Sequence, residues 1–398
     1  MAYGPIVTTI EELEKLYYTD AGIKFLSVDD LKSEFVTKTN APVTTSTAGV
    51  YNAIYGAQAW VNLNLEANVF GVLPKVPWTR SGWRVITGRA SSTVTGGVAE
   101  GGNLPDTIKP TFAAVTTKPK VIAHTFEITE VQDTLVDAGD DAYPNMEQLR
   151  TYMALEHAEH INRMLMTQNG APAGYNMESV DRVVGSYAEK TNCKESDQST
   201  SYSADDLDIY GIDRDAGASW ADAYVDYSSS GVRPLTDDII VSVMKGVLTN
   251  GGNPTFWLTG LDTDATIKGM YGTQVQYTNP LGQTQIQPSV NGIQTPSGIG
   301  VGINVATLYG KPLILSKNTV ADAGGISRLY LLDTSNPEGN DIPRLCIKVA
   351  KPTQYFEAGM RQNNPFSVNR FNTVGMYRTM AELICTFFGA QGKARDLC

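Results

Sequence analysis

Two periodicities follow one another in the first half of the chain. Ile122, His124, Phe126 and Ile128 alternate with Ala123, Thr125 and Glu127, the period of a half-buried strand. After a break over residues 137–145, Met146, Leu149, Met153, His157, Ile161 and Met164 recur at three- and four-residue spacing. That spacing predicts one helix over 146–168, ~35 Å long at 1.5 Å per residue. Pro144 suits its first turn and Asn169-Gly170 its stop. The opposite face carries Glu147, Arg150, Glu159 and Arg163, as a solvated or interface face does.

Upstream, Thr9 and Glu12 form a capping box ahead of Leu13 and Leu16. A Thr-rich linker over 35–47 leads to a second helical pattern at Tyr51, Ile54, Tyr55, Gln58, Val61 and Leu65. Trp78, Trp83, Val85 and Ile86 then supply the first strand of a ribbon whose loop spans Thr79 to Lys118, with Pro74 and Pro77 suiting an edge. A loop of that length in a compact domain is usually functional or disordered. Its tip carries Gly96, Gly97, Gly101 and Gly102 and few large apolar side chains. A two-stranded ribbon needs a further apolar surface to stay ordered in water, and a second copy of the chain is the simplest source.

Downstream, residues 171–234 are polar and acidic and read as a surface excursion. Thr236 caps a helix with Asp237 and Asp238 in its first turn and an apolar face of Ile239, Ile240, Val243, Met244, Val247 and Leu248. Gly251-Gly252 ends it, and Thr255 to Thr259 reads as a buried strand. A mixed α+β unit continues to about Ile342; Leu345 to Val349 and Met376 to Phe388 read as further strands.

Five segments, taken in order, resemble the HK97-fold major capsid proteins of tailed bacterial or archaeal viruses. They are VAEGGNLPDT, KPTFAAVTTKPKVIAHTFEITEVQDT with the long helix after it, LTDDIIVSVMKGVLTNGGNPTFWLTG, VATLYGKPLILSKNT and GMYRTMAELICTFFGAQGKARDL. The resemblance covers roughly Asn52 to Leu397 and rests on order and texture. It implies an α+β, HK97-like capsid fold. Residues 1–70 would be an N-terminal arm, where the residues alone equally allow a small helical cap packed on its own domain, and 71–118 an extended β-hairpin loop. Residues 119–234 would be a peripheral domain containing the spine helix 146–168 and the polar excursion 171–234. Residues 235–344 would be an axial domain, and 345–398 the return strands of the peripheral domain.

On this resemblance, inter-subunit assembly falls to the extended loop, at Trp83, Arg84, Gly96, Gly97, Glu100, Gly101, Gly102, Leu104 and Pro105. Met146, Leu149, Met153, His157 and Ile161 would seat the spine helix as a rigid axis. The implied function is a shell protein that self-assembles into hexamers and pentamers around viral double-stranded DNA. It would reside in the virion, be assembled in the host cytoplasm, and need no cofactor. Separate scaffold, portal and decoration proteins would be further partners. An encapsulin-like nanocompartment shares the implied fold. A different class is an acidic metal-dependent enzyme using Glu156 and His160.

Composition fits assembly, and fits equally a β-rich protein with many turns; the hairpin favours the first. Of 398 residues, 42 % are apolar, enough for a sizeable core, and 18 % are charged, below the ~25 % typical of soluble domains. Low charge with many small polar residues and Tyr suits extensive protein–protein burial. A net charge of −11, a pI near 4.9 and the lack of any basic run argue against direct gripping of nucleic acid, which needs Lys and Arg on phosphates. A container need not grip its contents, so DNA would be enclosed without sequence-specific binding.

Cys193, Cys346, Cys385 and Cys398 include no Cys-x-x-Cys pair, which disfavours zinc knuckles and thioredoxin-type sites. Cys346 and Cys385 lie in apolar stretches and read as small core residues. No signal peptide, glycosylation sequon or apolar run near the ~18 residues of a membrane helix is present. The expectation is folding in a reducing cytoplasm with no membrane partner.

Candidate chemistry is thin. Glu156, His157, Glu159 and His160 share one helix and His124 is the only other histidine, so a metal site there lacks ligands from other helices. Two His four apart with a Glu beside the first, the metalloprotease spacing, do not occur. Asp206, Asp208 and Gly211 fit three positions of a calcium loop, but Tyr210 and Gly217 stand where carboxylates are required. Asp205 to Asp215 therefore reads as a solvated turn. Gly298, Gly300 and Gly302 lack the full phosphate-loop spacing. No Gly-x-Ser-x-Gly elbow occurs, and three histidines leave few general bases for a hydrolase. Lys75, Lys109, Lys118 and Lys120 lie in or beside the ribbon. Some members of the resembled family form Lys–Asn crosslinks, but these lysines read as solvated and closure of the shell as non-covalent.

Overall fold

The computed structural model describes residues 68–88, 99–102, 109–137, 145–167, 170–229, 231–271, 307–337, 342–362 and 371–398, all within one compact unit, Thr44–Cys398. The two predicted N-terminal helices and the linker between them lie outside the described residues, as does the Gly298–Gly302 run. The described part begins with α1 (Asn68–Val72), β1 (Lys75–Pro77), β2 (Gly82–Gly88), β3 (Thr111–Thr116) and β4 (Lys120–Thr129). Then come α2 (Glu130–Asp137), α3 (Met146–Met166), α4 (Val180–Val183), α5 (Tyr187–Asn192) and β5 (Tyr224–Asp226). Next are α6 (Asp237–Thr249), β6 (Phe256–Thr259), α7 (Leu261–Tyr271), β7 (Thr307–Leu308), β8 (Lys311–Leu315) and β9 (Leu329–Leu332). The chain finishes with β10 (Leu345–Gly359), β11 (Asn372–Cys385) and β12 (Gly392–Ala394).

Three sheets organise these elements. The first has the order β1-β10-β11-β4. Its long pair runs antiparallel from Leu345↔Cys385 to Gly359↔Thr373, and β11 continues onto β4 from Asn372↔Thr129 to Ala381↔Lys120. β1 adds in parallel beside Ile347–Val349 only. Pro352, which has no N–H to give, follows just past that end, where the register slips between Val349 and Gln354.

α3 lies on this sheet because its apolar stripe meets Phe126, Ile128, Tyr355 and Tyr377. Met146, His157 and Ile161 are buried, while Leu149 and Met153 are half-buried. Asn145 caps the helix reciprocally with Gln148, at 2.8 and 3.2 Å. Glu159 corrects the sequence expectation. It faces inward at 6 % exposure rather than sharing the solvated face, because Arg163 and Lys317 neutralise it at 3.0 and 3.3 Å.

The second sheet has the order β5-β12-β9-β6-β8-β7. α6 covers one face, packing Ile239, Ile240, Val243 and Val247 on Trp257, Leu313, Leu329 and Leu331. Thr236 stands at its N-cap but its side chain makes no capping bond. The other face, with Phe256, Leu258, Tyr330 and Leu332, joins a larger cluster that includes Leu345, Ile347 and Leu383 of the first sheet and Ile161 and Leu165 of α3. β6 and β9 are therefore buried on both sides and read as unbroken apolar runs.

Two expectations about organisation are corrected. Residues 171–234 are not a surface excursion: Val180, Val183, Val184, Leu207, Ile209 and Tyr210 are buried in that same cluster. Their polar neighbours follow them inside because each is paired. Arg214, fully buried, donates to the carbonyls of Arg182, Val183, Leu207 and Ala221 at 2.7–3.2 Å. The second correction concerns residues 392–394. They do not return to the first sheet; β12 inserts between β5 and β9 in the second.

Candidate functional site

β2 and β3 form a separate antiparallel ribbon, paired from Gly82↔Thr116 to Ile86↔Phe112. Alternation sorts its side chains onto two faces. Trp83, Val85, Ala113 and Val115 share the inner one: Val115 is buried, and the Trp83 ring stands edge-on to Tyr210 with centroids 5.3 Å apart. Trp83 was expected among the assembly contacts, but it packs on the core of its own chain. Arg84, Ile86, Phe112 and Ala114 share the outer face, where Ile86 is 63 % and Phe112 60 % exposed.

Two large apolar side chains directly opposite one another in water form a patch that no other described residue of this chain covers. The sequence pattern places Ile86 in the strand but does not reveal its pairing with Phe112. A signal was present: WRVIT and TFAAV are apolar on both faces, which a ribbon with one wet side does not require. Farther out, Gly101 adopts the left-handed φ of +78°, and the Gly102 N–H donates to the Ala99 carbonyl at 2.9 Å. Glu100 is exposed in this turn. Gly96, Gly97, Leu104 and Pro105 lie outside the described residues.

At the junction of α3 with the first sheet, all three histidines of the chain meet. The His124 and His157 Nδ1 atoms are 2.8 Å apart, and His157 Nε2 lies 2.8 Å from Thr379 Oγ1. The His124 and His160 rings stand edge-to-face at 4.5 Å. Burial, then the neighbouring imidazoles, lowers His157 to about 4; burial also lowers His124 and His160.

A metal does not fit this arrangement. Two imidazoles on one tetrahedral ion sit ~3.4 Å apart at metal–nitrogen bonds near 2.0–2.1 Å, whereas a 2.8 Å separation is a direct N–H···N bond. Glu156 and Glu159 are turned to Arg163 at 3.7 and 3.0 Å. Among the described residues no group of three His, Cys, Asp or Glu is placed to hold a metal ion.

The acidic stretch 205–215 is likewise engaged by its own chain. Asp208 Oδ1 accepts from Lys190 Nζ at 2.9 Å and from the Arg214 N–H at 3.1 Å. Asp206 accepts from the Ser203 N–H, and Asp215 from the Gly217 and Ala218 N–H groups. It is a pinned turn rather than a solvated one.

The largest charge cluster among the described residues was invisible in the sequence. Asp181 receives Arg328 in a two-pronged contact at 2.9 and 3.0 Å, Lys393 at 3.1 Å and the Tyr330 hydroxyl at 2.9 Å. Glu189 receives Lys393 at 2.8 Å and Arg395 at 2.7 Å; Asp322 receives Arg328 at 2.8 Å. These charged side chains are all fully buried. Burial alone would raise the Asp181 carboxyl, but Arg328 and Lys393 hold it well below the usual carboxylate range. With its charged side chains shut off from solvent and paired to one another, the cluster is a structural clasp joining Asp181 and Glu189 to Asp322, Arg328, Lys393 and Arg395.

No protein-family model and no curated protein matches the chain. Solved structures do. The capsid of Cyanophage A-1(L) aligns at a TM-score of 0.56 and 14 % identity, over 89 % of this chain and 98 % of that one. The capsid of the native GTA particle aligns at 0.51 and 12 %, over 89 % and 99 %. That of the empty GTA particle aligns at 0.50 and 11 %, over 85 % and 92 %. At such identities the likeness is one of fold. The chain has the α+β, HK97-like capsid fold.

Proposed function

We propose that this chain is the major capsid protein of a tailed virus, assembling with copies of itself into the hexamers and pentamers of an icosahedral shell around double-stranded DNA. The observation that carries the reading is the extent of the fold match. It takes in nearly the full length of capsid chains rather than one module, at 98 % of the cyanophage chain. The outer face of the ribbon supports it independently. Ile86 and Phe112 present an apolar pair that a second copy would cover, as burial of a small hydrophobic patch at an interface centre requires.

In this reading residues 71–118 hold the extended loop, whose outer ribbon face and tip lie over a neighbour while β1 and the inner face stay on their own chain. Residues 1–70 are an arm, α3 the axis of a peripheral domain and 235–344 the axial domain. Repeated modest contacts around each ring then sum by multivalency. The acidic average charge suits a container whose affinity for DNA is low.

Negative-stain microscopy and light scattering of the purified full chain test the proposal. Shells, rings or tubes are expected. Phe112→Asp should leave the thermal unfolding of the isolated chain within about 0.5 kcal/mol of native, as at other exposed positions, while abolishing those assemblies. Normal assembly by that variant would remove the ribbon from the contact. A monomer at every salt and protein concentration would remove the reading itself.

A further inference from the structure

We propose that the His124–His157–His160 cluster is an acid-operated release between α3 and the four-stranded sheet, opened when a second proton enters the His124–His157 contact. His157 is 1 % exposed and hydrogen-bonded on both ring nitrogens, to His124 at 2.8 Å and to Thr379 at 2.8 Å. Thr379 passes the chain to Thr353, also at 2.8 Å, so the relay crosses from α3 through β11 to β10. A contact between two Nδ1 atoms needs one N–H and one lone pair.

One added proton is compatible with that contact, since an imidazolium still donates to a neutral imidazole. A second places two N–H groups head to head and two positive charges within a ring-to-ring distance of 5.0 Å. His160, whose ring is 4.5 Å from that of His124, adds a third charge. The contact therefore breaks on double protonation, and α3 loses the polar anchor in the middle of its buried stripe.

The surrounding charges do not cancel this. On α3, Glu156 favours protonation of His124 and Glu159 that of His160, but Arg163 opposes both. Arg163 and Lys317 already neutralise Glu159, and Arg163 also faces Glu156. The sheet side contributes Thr379 and Thr353 together with the neutral Tyr377 ring, 6.1 Å from His157. No carboxylate approaches from β10 or β11 within hydrogen-bonding distance of the histidines among the described residues.

The sign follows from linkage. A histidine held below its ordinary value of 6.5 is neutral in both states above that pH. Below it, the unfolded chain binds the proton first and stability falls. For His157, from 6.5 to about 4, the folded-to-unfolded ratio drops by about 300-fold in total. Asp181 loses its charge only below the ordinary carboxylate range, so its acid effect belongs to a lower window. Glu382, raised to about 8 by burial, acts with the opposite sign and is common to native and variant chains.

The inference does not rest on the assembly reading and is tested on the full chain. Imidazole resonances are titrated from pH 8 to 4, and amide exchange in residues 150–163 is followed over the same range in the native chain and in His157→Gln. The native chain should show coupled imidazole titrations below 6.5, with α3 amides losing at least tenfold protection relative to His157→Gln between pH 6.5 and 4.5. Equal acid sensitivity in the two chains overturns the proposal. So does protonation of both His124 and His157 in the native chain with α3 protection unchanged, a result that stands even where His157→Gln fails to fold.

Discussion

Glu382 lies on β11 without solvent access, and its Oε1 accepts from the N–H groups of Glu178 and Leu383 at 2.8 and 3.0 Å. Burial raises its carboxyl to about 8, and the nearby Glu178 charge adds to the effect. The folded value thus exceeds the unfolded one of 4.5. The unfolded chain ionises first as pH rises, and stability is lost between pH 4.5 and 8. Glu382→Gln removes that ionisation. The variant should match the native chain near pH 4.5 and exceed it by a few kcal/mol at pH 8, since each tenfold change in proton affinity is worth about 1.4 kcal/mol. Urea unfolding at both pH values checks this; a difference independent of pH would mean that Glu382 is not the titrating group. Residue chemistry also explains the inert thiols. Burial pushes Cys193, Cys346 and Cys385 up to about 12, so their thiolates are scarce at neutral pH.

α1 shows how one element can depend on another. At five residues it is too short to persist alone. The N–H groups of Val69 and Phe70 are satisfied from outside, by Asn162 Oδ1 of α3 at 3.0 and 3.1 Å. Asn162 is fully buried and acts as a remote N-cap. Asn162→Ala leaves both donors without their acceptor, and a loss of ~1–3 kcal/mol is expected in chemical unfolding. A loss below ~0.5 kcal/mol, the usual range for a neutral surface change, would show that α1 needs no such support. The position lies at the edge of the apolar stripe of α3, so periodicity alone gives no hint of its partner 93 residues away in sequence. α6 was simpler, because Ile239, Ile240, Val243 and Val247 point the way to their own sheet. Leu248, included in that stripe, is instead 53 % exposed.

Across the whole chain, closure depends on residues 390–398. β12 is the strand between β5 and β9, and Ala390 to Leu397 are buried throughout. Lys393 and Arg395 arrive with it to neutralise Asp181 and Glu189. Removing one side of a buried pair typically costs about 3–5 kcal/mol, against a total stability of about 5–15 kcal/mol. A chain ending at Gly389 should therefore lose cooperative thermal unfolding and near-ultraviolet dichroism. Removing Cys398 alone, which is exposed, should leave the melt intact. A cooperative melt in the longer truncation would show that the clasp is dispensable.

Periodicity was enough where an element's neighbour is generic. The alternation before Thr129, the stripe of α3 and the apolar run of β6 each need only some apolar surface to face, and local pattern encodes that need. The ribbon was legible as a ribbon for the same reason. Which of its faces is exposed was not: Trp83 and Ile86 differ only in parity, and parity is fixed by which side the core lies on. Residues 171–234 and 392–394 could not be placed from pattern, because their polar residues are buried by pairing with partners far away in sequence. The Asp181–Arg328–Lys393 clasp and the meeting of His124 with His157 and His160 exist only after sheets and helix pack. A charge or an imidazole carries no local mark of its future partner, and long-range packing alone determines whether it ends in water or in a bond.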